Sequence, residues 1–463
     1  MEAARPAGSP GRIALVKWLA VLLGMSMLAP FNTLVTSMAY FHDAFRLAPG
    51  VATTFSSGIM TVFNVTSVFC AILATMRGGR KDASPMHRVV RALYASIGGF
   101  LVLAVSVPVR GTEPLEAVYP YYVFLLGISV VLAVAQAFMQ SAIMVICTQL
   151  TVDGTLMGYM LAGQALQGVF GSVVNLVSTM LAVQLDKGAP SSDTKQAHEN
   201  ANAAMAVFLT TTLLQATTLV CLWRALRLPA VSARMDEWGA GAEERSRSSD
   251  GFRRLMRVQK RILPWSASIF CVFLVTLGVY PALTSQARSV HSRPDGTLVE
   301  SASVFVALHI VAMNLGDLIG RRLPVLSTYL LIRRGWVSLA CTTLRFFFFP
   351  LFFACNLVGE SNKTPAWALP DAVFFALVFF LGVTTGCNST SILISGPKLL
   401  EKRPGTAVPL ESAATDDVEQ DRLLDAPNAP LDGDASIASM ILSFWLVLGL
   451  TAGSCFSFLV LAL

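Results

Sequence analysis

This chain contains repeated runs of about 20 apolar residues, the length that a helix needs to cross the hydrocarbon core of a bilayer. Of its 463 residues only 13% are charged and 54% are apolar, whereas a soluble domain is about 25% charged. Inside lipid such a run must satisfy its own backbone hydrogen bonds, which a helix does. The composition excludes a soluble enzyme, a disordered regulator and a nucleic-acid-binding protein. It predicts an all-α polytopic membrane protein.

The apolar runs predict eleven membrane-spanning helices. The first run is too long for a cleaved signal peptide and has no convincing small-residue cleavage site, so we expect it to be retained. All eight cysteines fall within the runs, where they are expected to be small buried hydrophobes rather than disulfide partners. No Cys/His cluster has metal-ligand spacing, so no metal or other cofactor is expected. The predicted spans are residues 13–39, 51–76, 89–109, 118–148, 154–182, 203–225, 263–283, 303–320, 337–357, 372–395 and 437–463.

The distribution of Lys and Arg predicts the orientation of these spans. With the N-terminus inside, the cytoplasmic segments hold 26 of the 34 Lys and Arg residues and the external loops hold 7. We therefore expect the N-terminus inside and the C-terminus outside. The sequon Asn362-Lys363-Thr364 lies in a predicted external loop, which makes Asn362 a candidate glycosylation site.

Two long cytoplasmic loops organise the chain. Residues 226–262 form a linker between an N-terminal bundle of six helices (1–225) and a C-terminal bundle of five (263–463). Its basic portion, 253–261, is either an amphipathic helix on the inner leaflet or a solvated linker. The second loop, 399–434, is acidic and rich in Pro and Ala, so it is expected to be disordered.

Ionisable residues within the predicted spans are few, and each is costly in hydrocarbon, so each is a candidate for a functional role. Asn314, Asp317 and Arg321 are three and four residues apart and share one helix face. Asp317 and Arg321 can form an i,i+4 pair, which serves either a binding site or a structural ion pair at the helix end. Arg345 lies near the middle of the ninth span, and we expect it to orient the Asp317 carboxylate rather than touch a solute.

Amides take the place of charges in the fourth and fifth spans. Gln136 and Gln140 are four residues apart and are interpreted mainly as interhelical hydrogen-bonding groups. Gln164 follows Ala162-Gly163 and is the better ligand candidate. A side-chain amide offers both a donor and an acceptor, which suits the edge of a purine base.

Several of these stretches, in order along the chain, resemble motifs of the equilibrative nucleoside transporter family. The eighth-span stretch from Asn314 to Arg321 resembles the family's Asn-x-x-Asp-x-x-Gly-Arg signature and is the most specific match. In the first span Phe31 stands where the family has Trp, which removes an indole N–H and can alter the outer gate or the selectivity. The other matching stretches are Leu28–Asn32, Ala162–Ala165, Arg345–Pro350, Cys355-Asn356, Gly396-Pro397-Lys398, Leu448-Gly449-Leu450 and Phe456-Ser457-Phe458.

The resemblance implies an eleven-helix, six-plus-five relative of the major facilitator fold, with a central cavity that opens alternately to each side. It implies that Gln164 contacts a base and that Asp317 and Arg321 contact the ribose and the base. Apolar side chains are expected to pack around the solute. The expected substrate-binding residues are Gln164, Asp317, Arg321, Asn314, Leu28, Phe31 and Leu450.

The function that the resemblance implies is facilitated diffusion of purine nucleosides, together with some nucleobases, across the plasma membrane. The protein is expected to be a monomer with no catalytic residues, and its partners are the solute and the lipid bilayer. Three alternatives stay open. They are proton-coupled symport through titration of Asp317, a major-facilitator porter for another solute such as a sugar, and a receptor that binds nucleosides without moving them.

Overall fold

The computed structural model is all-helical in the residues that it describes. These are 10–45, 48–77, 85–110, 118–150, 155–186, 193–227, 251–281, 283–287, 289–290, 302–327, 329–355, 369–400 and 433–462. The α-helices within these ranges are α1 (Pro10–Thr36), α2 (Met38–Phe45), α3 (Pro49–Arg77), α4 (Pro85–Arg110), α5 (Val118–Leu150), α6 (Thr155–Asp186), α7 (Asp193–Leu226), α8 (Gly251–Arg261), α9 (Leu263–Val279), α10 (Ala302–Leu326), α11 (Gly335–Leu344), α12 (Phe348–Phe353), α13 (Asp371–Lys398) and α14 (Gly433–Ala462).

Nine helical segments among the described residues are long and apolar enough to cross a membrane, or ten if the bent pair α8–α9 is one span. Helix α3 is 29 residues long, and its described side chains include the apolar stretch Gly58–Ala74. The multi-pass helical architecture is therefore confirmed, and the count of eleven stays a prediction. The candidate glycosylation site at Asn362 and most of the acidic loop 399–434 lie outside the described residues.

Two helices extend well beyond the apolar runs that predicted them. Helix α7, which contains the sixth predicted span, begins at Asp193, ten residues before the predicted start of that span. A polar segment continues the helix in this direction. Helix α10 runs on to Leu326, past Arg321 and Arg322, where the predicted span ended. Charged side chains end an apolar run but do not end a helix, since Arg is itself a good helix former.

The ninth predicted span is a helix with a tightened turn at its centre. Helix α11, the 3₁₀ turn Arg345–Phe347 and α12 together form one apolar segment from Gly335 to Phe353. Pro350 has no N–H to give to the preceding turn, and its ring crowds the carbonyl of Phe346. The 3₁₀ turn accommodates both effects.

Buried apolar side chains form one large cluster at the end of the bundle where α1 begins, here called the near end. This cluster joins α1, α4, α5, α6 and α7 to α8, α9, α13 and α14. At the opposite, far end the described residues form two separate large clusters, one within α1–α7 and one within α9–α13. Among these clusters, only the core at the near end is continuous across the bundle.

Helices α10 and α13 are the most closely packed pair around the ionisable residues of the eighth span. A Cβ atom built at Gly316 or Gly320 would lie 2.3 or 2.2 Å from a carbonyl oxygen of α13, and one at Gly382 or Gly386 would lie 2.3 Å from a carbonyl oxygen of α10. Each helix therefore offers a pair of glycines four residues apart to the backbone of the other, as small residues do in membrane helix pairs. This contact sets the position of Asp317.

Candidate functional site

The predicted pair of Asp317 and Arg321 is present on one face of α10. Arg321 Nε donates to Asp317 Oδ2 at 2.8 Å, and the two side chains are 7% and 13% exposed respectively. The four-residue spacing of the helix brings the two groups together. Mutual pairing reduces the cost of holding both charges away from bulk water.

Arg321 also connects this helix face to α6. Its Nη1 donates to Gln164 Oε1 at 2.9 Å, and Gln164 Nε2 donates to Met27 Sδ in α1 at 3.6 Å. Gln164 is 4% exposed, so its amide is held within the protein on both sides. A continuous polar chain thus runs from the carboxylate of Asp317 through Arg321 and Gln164 to α1.

One atom of this chain of polar side chains is left with unused hydrogen-bonding capacity. Within the described residues Asp317 Oδ1 is buried and has no hydrogen-bond partner. A buried carboxylate oxygen without a donor is costly, and most such atoms in folded proteins are paired. The arrangement therefore offers an acceptor to a hydroxyl or N–H group of a solute, next to the cation of Arg321.

Asn314 faces α6 one turn before Asp317. Its Nδ2 donates to the carbonyl of Ile310 in its own helix at 2.9 Å. Its Oδ1 lies against Gly168, where a Cβ atom would come within 2.4 Å of that oxygen. Asn314 therefore contributes to the close packing of α6 and α10, beside the groups that it was predicted to join.

We expected Arg345 to contact the Asp317 carboxylate, but it does not. Its guanidinium is buried and donates to the carbonyl of Val272 at 2.8 Å, to Thr276 Oγ1 at 2.9 Å and to Thr385 Oγ1 at 2.6 Å. These partners lie in α9 and α13, so the structure gives Arg345 no direct contact through which to orient Asp317. Its hydrogen bonds instead join α9 and α13 to the 3₁₀ turn of the ninth span.

The contacts of Arg345 predict that its loss destabilises the fold more than it changes solute affinity. Arg345→Met keeps an unbranched apolar side chain but removes the donors shared by α9 and α13, so we expect a loss of about 1–3 kcal/mol of stability. A thermal-unfolding assay of purified protein should give a lower midpoint, with KM for uptake nearly unchanged. The exposed Arg333, changed to Gln, is the matched control. A raised KM at unchanged stability would contradict this structural role.

The predicted apolar residues are placed differently from one another. Leu28 and Leu450 are half-buried, and Leu450 packs against the near-end cluster. The Phe31 ring lies 5.5 Å from that of Phe63, centroid to centroid, at the far end. The Phe31 N–H donates to Gln136 Oε1 at 3.3 Å, which gives Gln136 the interhelical hydrogen bond that we predicted.

Sequence reasoning missed two features of the site. The first is Met27, whose sulfur accepts from Gln164; no sequence signal distinguishes it from the other apolar residues of α1. The second is the set of four glycines that brings α10 and α13 together. The Gly-x-x-x-Gly spacing of Gly316 with Gly320, and of Gly382 with Gly386, was a readable signal for it.

Comparisons with solved structures give the fold of this arrangement. The chain is similar to the Escherichia coli fucose:proton symporter FucP, with a TM-score of 0.51 and 14% identity over 96% of both chains. It is also similar to the proton:xylose symporter XylE of the major facilitator superfamily, with a TM-score of 0.51, 11% identity and coverage of 98% of this chain and 95% of that one. These likenesses support a major-facilitator-like fold.

The sequence of the chain is similar to those of nucleoside transporters. The family profile described as nucleoside transporter matches residues 230–407. Equilibrative nucleoside transporter 1 of Homo sapiens is 21% identical over 95% of both chains, and that of Rattus norvegicus is 22% identical over 96% of both. Together with the helical, multi-pass architecture, these matches support assignment of the chain to the equilibrative nucleoside transporter family, whose members are membrane transporters and not enzymes.

Proposed function

We propose that this transporter moves purine nucleosides, and some nucleobases, by facilitated diffusion through alternating access. The observation that carries the proposal is the buried polar chain of Asp317, Arg321 and Gln164, which joins α10 to α6 and leaves Asp317 Oδ1 unpartnered among the described residues. The similarity to full-length equilibrative nucleoside transporters supports the nucleoside as the solute.

The chemistry of the three side chains suits a nucleoside. A carboxylate accepts hydrogen bonds from the vicinal hydroxyls of a ribose, and a guanidinium donates to ring nitrogens. Gln164 offers an amide donor and acceptor to the edge of a purine. Because Arg321 already occupies Oε1 of Gln164 at 2.9 Å, a bound base competes with that hydrogen bond.

Competition for this hydrogen bond links binding to movement. The near-end cluster spans both groups of helices, and Thr148 Oγ1 and Ser439 Oγ are 2.7 Å apart between α5 and α14. The two large far-end clusters are separate. These contacts support a state that is closed at the near end. We infer that solute binding at Gln164 and Arg321 then loosens the contact of α6 with α10.

The proposed architecture follows the loop charges and the resemblance. It has eleven spans, the N-terminus inside, the C-terminus outside, and bundles 1–225 and 263–463 that rock against each other about the linker 226–262. The near end is then the cytoplasmic end. The protein is proposed to act as a monomer in the plasma membrane, with Asn362 as a glycosylation site.

Uptake into cells that lack endogenous nucleoside transport tests the proposal. A panel of labelled purine nucleosides, pyrimidine nucleosides, nucleobases and a sugar should give saturable uptake, fastest with the purine nucleosides. Uptake independent of pH and membrane potential would exclude the proton-coupled alternative. Saturable binding to reconstituted vesicles without counterflow would contradict transport and favour a receptor, and preferential sugar uptake would favour another porter.

Gln164→Ala is expected to weaken recognition of the base more than recognition of the ribose. Removing one amide that bonds a substrate costs about 1–2 kcal/mol, so KM for adenosine should rise by about 5- to 30-fold. Competition by base-modified and ribose-modified analogues measures the two parts separately. Gln215→Ala, which removes a buried amide bonded to the carbonyl of Ser26 in α1, is the matched control. An equal loss of affinity for both classes of analogue would count against contact with the base.

A further inference from the structure

The basic segment that precedes the seventh predicted span is an ordered helix, mounted on the near end. Helix α8 meets α9 at an angle of 75°, so it lies across the bundle rather than along it. Val258 and Ile262 are buried in the near-end cluster. Of the two interpretations of residues 253–261, the structure favours the helix over a solvated linker.

Two polar contacts hold α8 against the first half of α14. Arg254 Nε lies 2.6 Å from Asp434 Oδ1. Trp445 Nε1 donates to Gln259 Oε1 at 3.1 Å. Because the contacts are one or two turns apart along α8, they fix its rotation about its own axis. One face of the helix is therefore turned away from the described part of the protein.

The outward face of α8 carries large apolar side chains beside cations. Phe252 is 67% exposed, and Met256, one turn later, is also exposed. Arg257, Lys260 and Arg261 are exposed beside them. Apolar side chains flanked by cations are the composition of helices that lie in a membrane interface.

We propose that α8 docks on the surface of the adjacent lipid leaflet and binds anionic phospholipid headgroups. Its angle to the membrane-spanning α9 places its axis close to the membrane plane, and its charge is complementary to an anionic surface. Phe252 and Met256 enter the headgroup region, while Arg257, Lys260 and Arg261 contact phosphate groups. Through Arg254 and Gln259, the lipid composition then acts on the position of α14.

Hydrogen exchange of the full-length protein in nanodiscs tests this docking. Nanodiscs of neutral phosphatidylcholine are compared with nanodiscs containing about one third phosphatidylserine, and the amides of residues 251–263 are followed. We expect exchange in this segment to slow at least about threefold with the anionic lipid. Since both leaflets of a nanodisc have the same composition, the result depends neither on the orientation of the protein nor on its solute.

The matched variants separate docking from a general response to charge. The triple change Arg257→Gln, Lys260→Gln and Arg261→Gln should abolish the dependence on anionic lipid. Arg333→Gln with Arg334→Gln, which removes two other exposed near-end cations, should retain it. Size-exclusion profile and thermal midpoint verify that each variant is folded.

Three results would overturn the proposal. Equal exchange in neutral and anionic nanodiscs would mean that the outward face of α8 contacts another part of this chain or a protein partner, and not anionic lipid. An unchanged lipid dependence in the triple variant would remove the cations from the contact. Slowed exchange in neutral nanodiscs on addition of inorganic phosphate alone would show that a free anion, and not a lipid surface, is the ligand.

Discussion

Asp317→Asn is expected to remove most nucleoside uptake while leaving the protein in the membrane. The substitution keeps the size of the side chain but removes the charge that pairs with Arg321 at 2.8 Å and weakens the acceptor at Oδ1. Hydrogen bonds to a charged group are worth about 1.5–3 kcal/mol each. Loss of about 3 kcal/mol corresponds to about a hundredfold fall in Vmax/KM for adenosine.

Initial uptake rates, normalised to surface expression, measure this effect. Asp371→Asn is the matched control, because Asp371 is a carboxylate at the start of α13 whose oxygens accept from Ser289 Oγ and the Val290 N–H. Its uptake should stay within a fewfold of the unaltered protein. If Asp317→Asn transports with an unchanged KM, then Asp317 forms a structural ion pair at the helix end and does not bind the solute.

Gly386→Leu is expected to abolish transport by forcing α10 away from α13. A Cβ atom at Gly386 would lie 2.3 Å from the carbonyl oxygen of Asp317 and 2.7 Å from the backbone nitrogen of Arg321. Neither helix backbone can yield by flexing a side chain, so the helices must separate. Overpacking of this kind costs about 1–3 kcal/mol or more, and here the displaced residues are those proposed to bind solute.

Two measurements on detergent-solubilised protein and in cells should change together for this variant. The thermal midpoint should fall, and uptake per transporter at the cell surface should be lost. Gly98→Leu is the matched control, because among the described residues no heavy atom beyond the neighbouring turns of its own helix backbone lies within 4 Å of a Cβ at Gly98. Uptake by Gly386→Leu at the normal rate would mean that the spacing of α10 and α13 does not position the site.

Much of the fold followed from local features of the chain. Runs of about 20 apolar residues predicted most helix positions to within a few residues, because the bilayer thickness sets their length. The Asp317–Arg321 pair followed from helix periodicity alone, and the structure has it. The same local reasoning placed the end of α10 too early, since Arg321 and Arg322 end the apolar run but not the helix.

The rest of the candidate site depends on contacts between residues far apart in the chain. Gln164 and Arg321 are 157 positions apart and meet at 2.9 Å; their residue types identified each as a candidate but could not show that they bond each other. For Arg345, residue type and depth suggested Asp317 as a partner. The structure instead gives it two carbonyls and two hydroxyls in α9 and α13.

From the sequence alone this chain is identifiable as a bundle of membrane-spanning helices with very few ionisable residues inside it, because hydrocarbon excludes unpaired backbone and charge along each segment separately. The folded arrangement was needed to show which helices meet, that Asp317 Oδ1 has no partner among the described residues, and that α8 lies across the near end. Lipid is as apolar as a leucine side chain, so the choice of helix partners depends on close fit at small residues and on interhelical hydrogen bonds. Those depend on the arrangement of all the helices together.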